Sequence, residues 1–79
     1  MQRTLAIIKP DAVQRRLIGK IINRFEEKGL EIIGLKMTFI SEDLAKKIYS
    51  VHEGKDFFEK LIKFMTSGPV VILVLRGKN

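Results

Sequence analysis

Two continuous apolar runs constrain this chain more than any other feature. Residues 5–8 (Leu-Ala-Ile-Ile) are closed by Lys9 and Pro10, and residues 70–75 (Val-Val-Ile-Leu-Val-Leu) follow Gly68 and Pro69. Short apolar runs bounded by glycine or proline predict strands that are buried on both faces. Two such strands are expected at the centre of a sheet.

The segment between these runs switches between helical and strand periodicity. Apolar residues recur at helical spacing over residues 17–25, and Gly29 follows them as a stop signal. Residues 30–40 alternate instead, which predicts a long strand with one wet face or an edge position. The phase of this alternation slips near Ile33 and Gly34, which predicts a β-bulge.

Three polar residues occupy positions typical of helix starts. Ser41 is predicted to cap a helix that ends at Gly54. Asp56 is predicted to cap a third helix, and Asp11 a short turn after the first strand, each as part of a capping box.

The resulting order is β-α-β-α-α-β. This order predicts an α/β fold, an α+β sandwich of the ferredoxin-like kind that is incomplete because the last helix and strand are missing. A chain of 79 residues is expected to form a single domain, residues 1–79.

Composition excludes several classes of protein. The chain has no cysteine and one histidine, which argues against disulfides and against a protein metal cage. No apolar run approaches the roughly 20 residues of a membrane span, and no cleavage site follows the N-terminus, so no membrane partner and a cytoplasmic location are expected. The net charge of +6 favours anionic partners.

Several segments, in order and spacing, resemble nucleoside diphosphate kinases. They are residues 6–13 (Ala-Ile-Ile-Lys-Pro-Asp-Ala-Val), 17–19 (Leu-Ile-Gly), 24–26 (Arg-Phe-Glu), 34–37 (Gly-Leu-Lys-Met), 57–58 (Phe-Phe) and 66–71 (Thr-Ser-Gly-Pro-Val-Val). The resemblance runs over residues 3–79. It implies transfer of a γ-phosphate from a nucleoside triphosphate to a nucleoside diphosphate through a phosphohistidine, with Mg²⁺ bound through the nucleotide phosphates.

The resemblance assigns four residues to nucleotide binding. Lys9 matches the lysine that contacts phosphate, and Phe57 the aromatic that stacks on the base. Leu61, one turn after Phe57, matches an apolar contact to the base, and Tyr49 matches a tyrosine near the reactive imidazole. Without the resemblance, Lys9 reads equally well as a solvated lysine and Tyr49 as a residue of an amphipathic helix.

The resemblance assigns no catalytic residue to this chain. His52 lies where the family has no catalytic role, and the family's nucleophilic histidine corresponds to a segment beyond Asn79. We therefore expect the 79-residue chain to be inactive by itself. The chain also departs from common family residues at Arg16, Lys20, Asp56 and Arg76, none of which is a matched site residue.

Two other functions are open at the level of sequence. The chain could be a non-catalytic, self-associating α/β half-domain; homo-oligomerisation is expected in either case. A small basic nucleic-acid-binding module ranks last, because RNA-binding sheets display aromatic side chains and Phe39 is the lone strand aromatic here.

Overall fold

The computed structural model describes residues 2–77, which form three strands, four α-helices and one 3-10 turn. In chain order these are β1 (Gln2–Ile8), α1 (Pro10–Gln14), α2 (Ile18–Glu27), β2 (Glu31–Thr38), α3 (Glu42–Ile48), a 3-10 turn (Ser50–His52), α4 (Phe58–Met65) and β3 (Val70–Gly77). Every strand and long helix predicted from the sequence is present. No helix within residues 2–77 is long and apolar enough to cross a membrane.

The three strands form an antiparallel sheet in the order β1-β3-β2. The central strand is the third of the described strands in chain order, so β1 and β2 are separated by β3 as in a ferredoxin-like fold. The register of β2 shifts between Ile32 and Gly34, which confirms the predicted bulge.

Helices cover both faces of the sheet because β3 is apolar on both. Its Val70 and Ile72 contribute to a core cluster with α3 and α4, built on Ala45, Phe58, Ile62 and Met65. Its Val71, Leu73 and Leu75 contribute to a second cluster, where the apolar side of α2 packs. Successive side chains of a strand point to opposite faces of the sheet, so the central strand contributes residues to both core clusters.

The prediction that residues 5–8 are buried on both faces was wrong for most of the run. Ile8 is buried, Ala6 and Ile7 are half-buried, and Leu5 is 59% exposed. The physical reason is position: β3 is the one strand that pairs with β1 in the described sheet, and Leu5 is absent from both core clusters that the described residues form.

The helix caps were predicted with mixed success. Ser41 caps α3 as expected, its Oγ accepting a hydrogen bond from the Leu44 amide at 3.1 Å. However, α3 ends at Ile48, and the 3-10 turn separates it from Gly54.

The two other predicted caps were wrong. Pro10 is the first residue of α1, so Asp11 lies inside the first turn and not before it. Asp56 precedes α4 too early to cap it, because a turn in which the Phe58 amide donates to the Lys55 carbonyl at 3.0 Å delays the helix to Phe58.

Candidate functional site

Lys9 follows the end of β1, at the edge of the sheet where β3 begins. Ile8 pairs with Val71, so the chain leaves β1 beside the start of β3. Lys9 is exposed, and its carbonyl accepts a hydrogen bond from the Val13 amide at 3.1 Å, which starts α1. The backbone at Lys9 is therefore fixed while its ammonium group is accessible to an anion.

A cleft opens beside this strand end. It has a volume of about 380 Å³ and is lined by Pro10, Asp11, Val13, Gln14, Phe64, Ser67, Gly68 and Pro69. The turn at Gly68 lies beside Pro10, since a β-carbon added to Gly68 would be in ordinary van der Waals contact with the Pro10 Cβ, at 3.6 Å. The cleft thus joins the start of α1 to the end of α4, and none of the four predicted nucleotide-binding residues lines it.

Phe57 and Leu61 lie on the first turns of α4, as their spacing predicts. The Leu61 amide donates to the Phe57 carbonyl at 2.9 Å, which places the two side chains one helical turn apart. Phe57 is 47% exposed, whereas Leu61 is half-buried against the α3–α4 core. An accessible aromatic ring followed by a partly accessible apolar side chain can receive a flat ligand.

The Phe57 ring contacts two side chains that the sequence did not single out for this role. The His52 ring lies 5.3 Å from it between centroids, tilted by 57°, and the Lys55 Nζ lies 5.9 Å from its centroid. Lys55 Nζ also approaches His52 Nδ1 to 3.5 Å. The signal that could have revealed this cluster is Gly54, whose φ of 87° turns the chain back between His52 and Phe57.

Tyr49 lies at the C-terminal end of α3. It is half-buried and packs on the same α3–α4 core cluster as Leu61. Its amide donates to the Ala45 carbonyl at 3.0 Å and closes the last turn of the helix. Tyr49 and Leu61 are therefore held by one core.

The structure places the predicted residues at two ends of α4. Phe57 is at the N-terminal end, while Lys9 is next in sequence to Pro10, which shares the cleft with Phe64 and Ser67 at the C-terminal end. The eight residues of α4 span about 12 Å. An exposed aromatic ring and an exposed lysine thus lie towards opposite ends of α4.

Comparison with known proteins relates the whole chain to one family. A family model described as nucleoside diphosphate kinase matches residues 2–79. Nucleoside diphosphate kinases from Roseiflexus sp. (strain RS-1) and Saccharolobus islandicus (strain L.S.2.15 / Lassen #1) are 58% and 57% identical over 79 residues. These matches cover all of this chain and 53% and 57% of those proteins, so the chain spans about half the length of the curated relatives it matches.

Solved structures give the same relation. A halophilic nucleoside diphosphate kinase from Halobacterium salinarum, in complex with CDP, superposes with a TM-score of 0.94 at 50% identity, covering 96% of this chain and 50% of that one. The Aquifex aeolicus nucleoside diphosphate kinase superposes with a TM-score of 0.93 at 45% identity, covering 98% and 55%. By sequence and by fold, this chain belongs to the nucleoside diphosphate kinase family.

Proposed function

We propose that this chain supplies the base-binding and first phosphate-binding part of a nucleoside diphosphate kinase site. Its ligands are nucleoside di- and triphosphates. The observation that carries the proposal is the accessible Phe57 ring, with Leu61 one turn later on α4. Family membership and the CDP bound by the Halobacterium salinarum relative support a nucleotide as the ligand.

Each residue has a distinct task in this proposal. Phe57 stacks on the base, and Leu61 provides an apolar contact beside it. A ring face does not distinguish bases by hydrogen bonding, which suits an enzyme that accepts all nucleosides. Lys9 binds phosphate oxygens at the other end of α4, where its charge offsets negative charge on the moving phosphoryl group. Tyr49 lies near the reacting end of the nucleotide.

The nucleotide's own oxygens hold the magnesium ion in this proposal. Among residues 2–77, no three histidine, aspartate or glutamate side chains are grouped to hold a metal. A cation that arrives bound to the nucleotide phosphates needs no such group of protein ligands. When bound there, Mg²⁺ supplies further neutralisation of phosphate charge.

His52 is not the nucleophile in this proposal. Its ring contacts Phe57 and Lys55 at the base end of α4, away from Lys9. A nucleophilic imidazole is oriented by a hydrogen-bond acceptor on its second nitrogen, whereas Lys55 can only donate. The 79-residue polypeptide therefore binds nucleotide weakly and does not turn it over by itself.

The base site is tested by titrating Mg·ADP against Phe57→Ala. We expect the affinity to fall about tenfold, because stacking on an aromatic ring contributes on the order of 1–3 kcal/mol per base. Phe39→Ala is the matched control, since Phe39 is also an exposed ring, at 71%, and lies beyond the end of β2. Equal affinities for the wild type and Phe57→Ala would refute the site.

Absence of turnover is tested with an assay for phosphate transfer from ATP to GDP. We expect no activity above the buffer blank and no phosphohistidine, because groups that act as a unit in catalysis are not replaced by a subset of them. Turnover by the wild type that His52→Ala abolishes would overturn this expectation.

A further inference from the structure

The protein core does not fix the orientation of the Phe57 side chain, so contacts outside the core must restrict it. Of the described residues, the two core clusters include Phe58, Leu61 and Ile62 but not Phe57. Phe57 stands at the N-cap position of α4, and nearly half of its surface is accessible. An exposed ring without fixed neighbours rotates among several orientations, and fixing it on binding weakens the affinity.

The three-residue cluster of His52, Lys55 and Phe57 supplies those neighbours. A tilted contact between rings at 5.3 Å lies within the favourable range for aromatic pairs. The Lys55 ammonium lies over the Phe57 ring at 5.9 Å from its centroid, within the range of cation–π attraction. Two different side chains therefore restrict the same ring.

The backbone fixes this cluster before any ligand arrives. The Lys55 amide donates to the His52 carbonyl at 3.1 Å, and the Phe58 amide donates to the Lys55 carbonyl at 3.0 Å. Two consecutive turns thus connect the members of the cluster. Gly54 allows the first turn because its φ of 87° is one that side-chain-bearing residues rarely adopt.

The contact between Lys55 and His52 also fixes the histidine. A lysine ammonium only donates hydrogen bonds, so at 3.5 Å its Nζ faces His52 Nδ1 as an acceptor. Lys55 lies over the Phe57 ring, and 47% of the Phe57 surface remains exposed to a ligand.

We propose that His52 and Lys55 are positioning residues for nucleotide binding, which restrict the Phe57 ring so that its exposed surface can receive the base. This inference rests on the proposed function, since it takes Phe57 as the surface that receives the base. It gives the histidine of this chain a role in binding and none in phosphoryl transfer. Its distinctive consequence is that both residues act on the base and neither acts on the phosphates.

Titration with two ligands tests this consequence. Mg·ADP carries a base, and Mg·pyrophosphate carries the phosphates alone. We expect His52→Ala and Lys55→Gln each to weaken Mg·ADP binding about fivefold, because part of the stacking is lost when the ring is free. Binding of Mg·pyrophosphate is expected to change by less than about twofold, because neither residue contacts phosphate in this arrangement.

Matched variants separate positioning from charge and folding. Lys55→Arg keeps a cation over the ring and is expected to retain wild-type affinity for Mg·ADP. His52→Phe keeps a tilted ring and is expected to retain wild-type affinity for Mg·ADP, whereas His52→Leu replaces His52→Ala if that variant unfolds. Lys46→Gln removes one positive charge from exposed α3 and is expected to leave both ligands unaffected.

Each other outcome has one meaning. If Phe57→Leu weakens Mg·ADP binding but His52→Ala and Lys55→Gln do not, the positioning role is overturned and the proposed function stands. If His52→Ala and Lys55→Gln weaken Mg·ADP and Mg·pyrophosphate alike, they act through charge or folding and the inference is overturned. If Phe57→Leu changes nothing, the base site itself fails and the positioning role fails with it.

Discussion

Gly34 lies opposite Val74 of the central strand, where there is little room for a side chain. A β-carbon at this position would lie 3.2 Å from Val74 Cγ2 and 3.3 Å from Val74 Cβ. Val74 is β-branched and sits in a paired strand, so it has little freedom to move away. A side chain at Gly34 would therefore require Val74 or β2 to shift by a few tenths of an ångström.

We predict that Gly34→Ala destabilises the protein by about 1 kcal/mol, because an added methyl group overpacks this contact. Gly19→Ala is the control: nothing lies within 4 Å of a β-carbon there, and alanine is favoured over glycine in α2 by about 0.5–1 kcal/mol. Urea unfolding followed by circular dichroism measures both. A gain in stability for Gly34→Ala would show that β2 relaxes freely at the bulge.

The interaction partner of Arg76 could be identified only from the fold. It departs from the acidic residue common in the family, and sequence reasoning gave it no partner. In the sheet it lies opposite Glu31, and its Nε donates to Glu31 Oε1 at 2.8 Å. Both side chains are more than one-third exposed, so the pair contributes about 0–1 kcal/mol.

Part of the candidate site could be predicted from the sequence, and part could not. Residues four apart on a helix share a face whatever the rest of the fold, so Phe57 and Leu61 could be placed together from the sequence. His52 could not be placed beside Phe57, because that contact depends on the left-handed conformation of Gly54. Hydrophobic periodicity predicts helices and strands, but it does not predict the conformation of the turns between them.

At the scale of elements, the strands and helices could be predicted from the sequence, but the position of each strand in the sheet, and hence its burial, could not. An apolar run predicts a strand, and residues 5–8 do form part of β1. Whether that strand is central or at an edge depends on pairing partners that the run does not specify. Leu5 is exposed for this reason, while Val71 and Leu73, in the strand with two neighbours, are buried.

Helix caps provide a prediction at this scale. Ser41→Ala is expected to cost about 1 kcal/mol, since it removes the acceptor for the Leu44 amide at the start of α3. Asp56→Ala is the matched control, because Asp56 resembles a cap in sequence but α4 has no side-chain cap. We expect that control to change stability by less than about 0.5 kcal/mol.

Thermal and urea unfolding of Ser41→Ala and Asp56→Ala, measured together, test whether each residue caps a helix. A loss of stability in Asp56→Ala equal to that in Ser41→Ala would mean that Asp56 caps α4 in solution. A neutral Ser41→Ala would mean that α3 is held by the packing of Ala45 and not by its cap.

At the scale of the molecule, the sheet is incompletely covered. The radius of gyration is 13.6 Å, against about 12 Å expected for a compact chain of this length. Leu35 and Met37 are 59% and 54% exposed, and their register opposite Leu73 and Val71 places them on the face where α2 packs. Leu5 on β1 adds a second exposed apolar site.

We predict that the 79-residue polypeptide self-associates. Both outer strands of the described sheet have one edge that no described strand covers, and unpaired edges beside exposed apolar side chains are templates for another chain. Burying this surface would offset the small core of a chain of 9.1 kDa. Light scattering at roughly tens of micromolar protein should therefore give a mass of at least two chains.

Two variants locate the contact. Leu35→Lys combined with Met37→Lys places charge on the β2 surface, and Leu5→Lys places charge on β1, which natural edge strands use against pairing. We expect the β2 variant to dissociate the assembly, because β2 carries the larger exposed apolar surface beside α2. Dissociation by Leu5→Lys alone would assign the contact to β1. A wild-type monomer of 9.1 kDa that unfolds cooperatively would show that neither edge drives association and that the two half-covered faces are stable in water as they are.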